Sequence, residues 1–320
     1  MTRRVIAVFL LSALLAAACS GTGDATSHNN KGVELSKQGE WTEAIAELDK
    51  AIEMDPNDAK AHNNRGYAYR EIGQYEKAIA DLDKAIEIDP AYATAYGNRG
   101  LTYAAMEQYE RAIADHDKAI GIEPDDAAHY SNRGLAYQDS GKTEMALADY
   151  DKAIGIDATV SSFYSNRAGA YLELEQQEQA LADWAKAIEL DPDNYAAYNN
   201  RAGAYIKMER YLLAIADLDK AIEAFQKNPE ANLGRLASSY NSRGIAYDAA
   251  GLSEKAIADY DKAIEISPDY GGAYYDRALA YKSLKNREQA MADFEKALSL
   301  AGDNAAFAAL VQKAIDDYRD

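Results

Sequence analysis

The chain has 320 residues, with 34 Lys and Arg against 53 Asp and Glu and a formal net charge of −19. That length exceeds one ordinary core and predicts two domains or a repeat array. The acidity argues against a nucleic-acid or anionic-membrane surface, where Lys and Arg must replace counterions on phosphates. A single cysteine, Cys19, excludes an internal disulfide framework and any cysteine-rich metal site. Six prolines predict a helical chain, and 24 Tyr against 5 Phe and 2 Trp predict that some structural unit reuses tyrosine.

In chain order, Arg3 and Arg4 precede an apolar run from Val5 to Ala18 broken only by Ser12. This run is short for a permanent span but suits the apolar core of an export signal. It ends Leu14-Leu15-Ala16-Ala17-Ala18-Cys19-Ser20, which resembles the bacterial lipobox, with Ala16 where that family usually has leucine. The resemblance implies cleavage before Cys19 and lipidation of its sulfur, with residues 1–18 as signal peptide and 19–24 as tether. Ser20 then implies sorting to the outer membrane, facing the periplasm. Ordinary signal cleavage, leaving a free Cys19, is the alternative. Two or more acyl chains anchor stably, at ~0.8 kcal/mol per buried methylene.

From residue 25 a period of 34 governs the chain. Pro56, Pro90 and Pro124 are spaced by it; Ala158 and Pro192 continue the series, and Pro268 lies two periods plus eight residues beyond. With slots 1–34 counted from residue 25, slot 8 is Gly or Ala in every copy. Slot 20 (Ala44 to Ala290) and slot 27 (Ala51 to Ala297) are Ala throughout. Tyr fills slot 11 from Tyr69 to Tyr281, and slot 4 from Tyr96 to Tyr274. Slots 4, 8 and 11 share one face of a helix, where a small slot 8 admits a neighbouring helix between flanking rings.

These residues resemble the tetratricopeptide repeat (TPR), a pair of antiparallel helices per unit. The resemblance implies an all-α, right-handed α-solenoid of eight repeats over residues 25–302. Eight extra residues fall in Phe225–Leu236, where an extended second helix and a longer loop are expected. They are read either as a tolerated surface insertion or as a partner-contacting bulge. Beyond Gly302, residues 303–320 carry Phe307, Leu310, Val311, Ala314 and Ile315 at helical spacing, which predicts a capping helix.

Slot 6 is asparagine six times running: Asn30, Asn64, Asn98, Asn132, Asn166 and Asn200. It lies about 200° around the helix from slot 4, on the face that lines the concave groove in this family. Asparagine is a mediocre helix former, so the row needs a cause. It reads either as a ladder of amides for the main chain of an extended peptide, or as bonds between repeats that fix stacking. The ladder resembles those of other superhelical repeat proteins. Slot 9 (Leu101 and Leu135, with Val33, Tyr67, Ile245 and Leu279) offers apolar contacts beside it, and Gly169 and Gly203 leave room there. Six amide contacts at ~0.5–1.5 kcal/mol each, against ~2–5 kcal/mol for ordering a peptide, allow only weak binding without sequence reading.

Slot 7 is basic in every copy (Lys31, then Arg65 to Arg277), where the TPR family usually has leucine. Slot 23 is acidic in every copy (Glu47, then Asp81 to Asp293). A partly buried Arg–carboxylate pair between helices is expected, rather than a ligand-binding row. His28 and His62 occupy slot 4, His116 the second helix's seam, and His129 adjoins Tyr130. No spacing such as His-Glu-x-x-His and no glycine-rich phosphate loop is present. The expectation is a non-enzymatic envelope scaffold with a protein or peptide partner, membrane-held through Cys19, with no cofactor, metal or nucleic acid. A structural lipoprotein that self-associates through solenoid edges is the rival.

Overall fold

The computed structural model describes residues 24–227 and 233–319. The signal segment, Cys19 and residues 20–23 lie outside them. All seventeen regular elements among the described residues are helices. None is long and apolar enough to cross a membrane.

Two compact units divide the chain, one ending at Ile156 and the other beginning at Asp157. The first holds four hairpins: α1 (Ala25–Lys37) with α2 (Trp41–Met54), α3 (Ala59–Glu71) with α4 (Tyr75–Ile88), α5 (Ala93–Ala105) with α6 (Tyr109–Ile122), and α7 (Ala127–Asp139) with α8 (Thr143–Ile156). The second holds four more: α9 (Ser161–Glu173) with α10 (Gln177–Leu190), α11 (Tyr195–Lys207) with α12 (Tyr211–Lys227), α13 (Leu233–Ala249) with α14 (Ser253–Ile266), and α15 (Gly271–Ser283) with α16 (Arg287–Ser299). A final helix, α17 (Ala305–Arg319), follows. The all-α repeat fold expected from the period is the fold observed.

Slot 8 sets the closeness of each hairpin. It faces slot 24 of the second helix. A Cβ on Gly66 would stand 2.8 Å from Leu82 Cγ, one on Gly134 2.7 Å from Tyr150 Cε1, and one on Gly244 2.5 Å from Tyr260 Cε1. Leu82, Tyr150 and Tyr260 are almost wholly buried by this approach. The first helix buries slots 3 and 10 with slot 8, as in Ala61, Gly66 and Ala68 of α3. The tyrosines of slots 4 and 11 are mostly half-buried instead. The expected stripe of slots 4, 8 and 11 is therefore shifted, because the rings have a different task described below.

The turn inside every hairpin is the same. Slot 15 adopts the left-handed conformation in all eight copies: Gly39, Gly73, Gly141 and Gly251, and also Glu107, Glu175, Glu209 and Lys285, with φ between 58° and 78°. The following N–H donates to the slot-11 carbonyl (Gln74 to Tyr69, Gln108 to Tyr103), and the slot-15 N–H donates to slot 12 (Gly73 to Arg70). This pair of bonds satisfies the last carbonyls of the first helix and forces the left-handed residue, whichever side chain it carries. Between hairpins, Asp58, Asp126 and Asn194 cap the next helix by accepting from its first backbone N–H groups.

The extra residues lengthen helices on both sides. α12 runs on to Lys227, and α13 starts at Leu233 rather than near Ala237. Sequence reading expected only the second helix of the sixth repeat to extend. Phe225 in the extension is buried against Tyr195, with ring centroids 4.1 Å apart. At the end of the chain, Val311 and Ile315 of α17 bury themselves against Ala278, Ala290, Phe294 and Ala297, so the last apolar seam is covered as expected. Leu310, counted with that seam from spacing alone, remains half-exposed.

Candidate functional site

The arginines of slot 7 are structural clamps. Arg65 donates from Nε and Nη2 to Asp81 of its own hairpin and from Nη1 to Asp49 of the preceding one, all at 2.6–2.7 Å. Arg99 grips Asp115 and Asp83 in the same way, and Arg133 grips Asp149 and Asp117. In the second unit Arg243 holds Asp259 and Asp219, and Arg277 holds Asp293 and Asp261. The slot-23 partner was legible from the sequence; the slot-25 partner, which ties one hairpin to the next, was not. Fork-shaped donation to two carboxylates suits guanidinium and not ammonium.

From the third repeat on, each slot-7 guanidinium also lies between two tyrosine rings. Arg99 stands 5.5 Å from the Tyr96 centroid and 5.9 Å from Tyr103; Arg277 is 5.5 Å from Tyr274 and 6.0 Å from Tyr281. Slots 4 and 11 thus build a cation–π sleeve around slot 7, which accounts for the tyrosine surplus. The first two repeats differ, because slot 4 is histidine there. His28 hydrogen-bonds Glu47 at 2.6 Å, and with Lys50 and Lys31 it pulls that carboxyl down to a pKa of about 2. His62 approaches Asp81 at 3.4 Å.

The asparagine row divides. Asn64 donates from Nδ2 to Asn29 Oδ1, and Asn98 from Nδ2 to Asn63 Oδ1, both at 2.9 Å. The link runs from slot 6 of one repeat to slot 5 of the repeat before, so these two amides serve stacking. Asn132 has no such partner, because slot 5 of the preceding repeat is Gly97. Asn30 belongs to the first repeat and is exposed; Asn200 is exposed too. Asn166 is half-buried and engaged. At slot 6 of the last repeat, Asp276 replaces asparagine and accepts from Asn241 Nδ2 at 2.8 Å. Burial raises the Asp276 pKa to about 6.

Even the linked amides keep capacity. An amide offers two N–H donors and two acceptor lone pairs. Asn98 spends one donor, and Asn64 spends one donor and one acceptor site, the latter taken by Asn63 at 3.3 Å. Two depressions adjoin the slot-6 row, the first beside slot 9 and the second beside slots 1 and 2. In the first unit Asn64 lies beside Val33, Ser36, Lys37 and Tyr67. In the second, a pocket of about 420 Å³ is lined by Tyr195, Asn199, Asn200, Arg235, Ser238 and Ser242. Arg235 comes from the lengthened start of α13 and donates to Tyr195 Oη at 3.0 Å. Leu101 and Leu135 are half-buried on the slot-9 row, and a Cβ on Gly203 would meet only open space.

Two histidines depart from the repeat. His116 fills slot 24 opposite Gly100 with neither ring nitrogen hydrogen-bonded, and burial holds its pKa down to about 3, so it packs as a neutral ring. His129, at slot 3, is buried, with Nε2 3.7 Å from Glu123 Oε2 and 3.7 Å from Asp126 Oδ2. These three side chains are the group among the described residues whose donor atoms converge closely enough to hold a metal ion.

Repeat-family profiles match along the chain. A TPR-repeat profile matches residues 32–73, 66–107 and 168–209, and tetratricopeptide-repeat profiles match 193–269, 93–126, 129–159 and 271–304. All are repeat families and none is catalytic. No curated protein matches the chain. Among solved structures, the Cut9–Hcn1 hetero-tetramer of the APC/C superposes with a TM-score of 0.66 at 16% identity, over 86% of this chain and 52% of that one. The chain thus spans about half the length of that relative. TTC0263, a thermophilic TPR protein of Thermus thermophilus, gives a TM-score of 0.52 at 22% identity over 57% of this chain and 99% of its own. MamA of Desulfovibrio magneticus RS-1 is 22% identical over 54% of this chain and 99% of its own, with a TM-score of 0.47. Such identities speak to fold alone. With the period, the slot-8 packing and the matched profiles together, the chain belongs to the tetratricopeptide-repeat family of helical interaction scaffolds.

Proposed function

We propose that the chain binds a partner polypeptide along the slot-6 and slot-9 face of its repeats and is held at the bacterial cell envelope by lipid on Cys19. The observation that carries the first part is the uncommitted amide of Asn132. Gly97 removes the stacking partner that Asn64 and Asn98 have, yet asparagine is kept in a helix interior that does not favour it. Asn30 and Asn200, both exposed on the same row, extend this reading. The pocket around Asn199, Asn200 and Arg235 adds one cation among neutral donors and acceptors in a strongly acidic protein. The anchor rests on the residues around Cys19.

The test removes two amides that lack the stacking bond of Asn64 and Asn98. Asn132→Ala with Asn200→Ala should reduce recovery of envelope partners in affinity purification while the melting temperature holds. Unchanged recovery would remove this face from the mechanism. Intact mass decides the anchor: acylated Cys19 adds fatty chains, and an unmodified mature chain would sink it. Self-association is favoured by one observation. Leu212, in the first turn of α12, is 74% exposed beside Leu213 and Ala250. A concentration-dependent oligomer in sedimentation, lost in Leu212→Ser, would support that reading.

A further inference from the structure

The join between the third and fourth repeats carries chemistry that the other described joins lack. Glu123 sits just past α6, Asp126 caps α7, and His129 is one turn into α7. Asp126 divides its oxygens: Oδ1 accepts from the Ala128 N–H at 2.8 Å, which fixes the carboxylate, and Oδ2 is the oxygen 3.7 Å from His129 Nε2. Glu123 Oε2 lies at the same 3.7 Å from that nitrogen. These separations are too long for hydrogen bonds. They are slightly longer than the spacing of ligand atoms around one small divalent ion, whose bonds to nitrogen and oxygen run about 2.0–2.2 Å. The carboxylates are about half exposed, so a few tenths of an ångström of closure lies within their freedom.

His129 supplies the independent observation. It is only 6% exposed, and neither ring nitrogen has a hydrogen-bond partner. Burying an imidazole with both nitrogens unpartnered is costly, and a buried polar group left so calls for a cause. The repeat has also made room for it. Slot 3 is a small residue in most copies, and slot 5 of the preceding repeat is Gly97, where a Cβ would stand 3.1 Å from His129 Cε1. Among the described residues neither Glu123 nor Asp126 pairs with lysine or arginine, whereas nearby Arg133 is spent on Asp149 and Asp117. Local negative charge is therefore left unmatched, on a chain of net charge −19.

We propose that Glu123, Asp126 and His129 form a binding site for a borderline divalent transition-metal ion of the zinc class, with water completing the coordination. One neutral imidazole and two carboxylates suit such an ion, and the imidazole disfavours calcium and magnesium. With one residue before the helix, one at its cap and one inside it, the bound ion fastens the linker between α6 and α7.

The probes are Zn2+, and Co2+ as its visible-absorbing substitute, titrated into the purified full-length chain. One equivalent should bind, with a Co2+ spectrum of nitrogen and oxygen ligands and no thiolate band, and the melting temperature should rise. His129→Ala, which restores the residue of other repeats at that slot, and Glu123→Gln should each weaken binding about tenfold or more. His28→Gln and His62→Gln should leave it unchanged, and Ca2+ should not compete. Circular dichroism of each variant confirms that lost binding is not lost folding. No saturable Zn2+ binding, equal affinity in His129→Ala, or loss of binding in His28→Gln would overturn the proposal.

Discussion

Two joins built on the same plan differ in one group. Between the second and third repeats, Asn98 donates to Asn63; between the seventh and eighth, Asn241 donates to Asp276. Both joins have the arginine clamp alongside, Arg99 in one and Arg277 in the other, with the same inner and outer aspartates. The clamp's inner acceptor shows no variation in charge: slot 23 is acidic in every copy, and the two oxygens of a carboxylate match the paired N–H donors of a guanidinium. The amide link does tolerate such variation, since an N–H donates equally to an amide oxygen or a carboxylate. The difference lies in the desolvation cost: a neutral amide is buried cheaply, whereas Asp276 carries a charge into the same place and its pKa moves to about 6.

The largest expected effect tests what the joins share. Arg99→Met and Arg277→Met should each cost about 3–5 kcal/mol of stability, because Asp115 and Asp293 are buried and lose their counter-ion. Thermal or urea melts of the full chain would read this, and a loss confined to one of the two would break the equivalence.

The next effect erases the difference. Asp276→Asn should stabilise the protein at pH 7–8 by about 1–3 kcal/mol. The folded-state pKa lies above the ordinary carboxyl value, so the folded state holds the extra proton and the wild-type penalty is present above about pH 6. It fades as pH falls through 6, and by about pH 4 variant and wild type should melt together. A gain independent of pH would mean that shape, not charge, separates the two joins. Asn98→Asp is the reciprocal change and should lower stability at pH 7 but not at pH 4.

Smaller still, Asn98→Ala should cost about 1 kcal/mol by orphaning Asn63 Oδ1, while Asn132→Ala should stay within about 0.5 kcal/mol. Effects of similar size are expected in the turns. Glu107→Gly relieves a left-handed non-glycine residue but adds backbone freedom to the unfolded chain, for a net gain of about 0.5 kcal/mol. Gly141→Ala, in the same conformation, should lose about 1 kcal/mol.

The fold was legible because spacing alone reports it: a 34-residue period with small residues at slots 8, 20 and 27 dictates paired helices. The capping helix was legible from Val311 and Ile315, which keep the period of a buried face. Three features were not. The slot-15 conformation is written as glycine in only half the copies, since backbone bonding imposes it on Glu107 and Lys285 as well. The sleeve of Tyr96 and Tyr103 around Arg99 was hidden because angular position on one helix places the rings on a face without saying what occupies the space between them. The Asn63–Asn98 link depends on how closely consecutive first helices approach, a distance that no single-helix periodicity contains. For the same reason the sequence alone left the asparagine row open between docking and stacking; the structure shows stacking bonds at Asn64 and Asn98.

One clamp in the second unit is incomplete. Arg201 holds Asp217, but the position that would supply its outer acid is Ala185, where Asp219 and Asp261 serve Arg243 and Arg277. There the Ser161 hydroxyl donates to the Ala187 carbonyl and accepts from Asn194 Nδ2, an uncharged link beside the half-clamp, so added salt should loosen this join less than those that Arg243 and Arg277 hold.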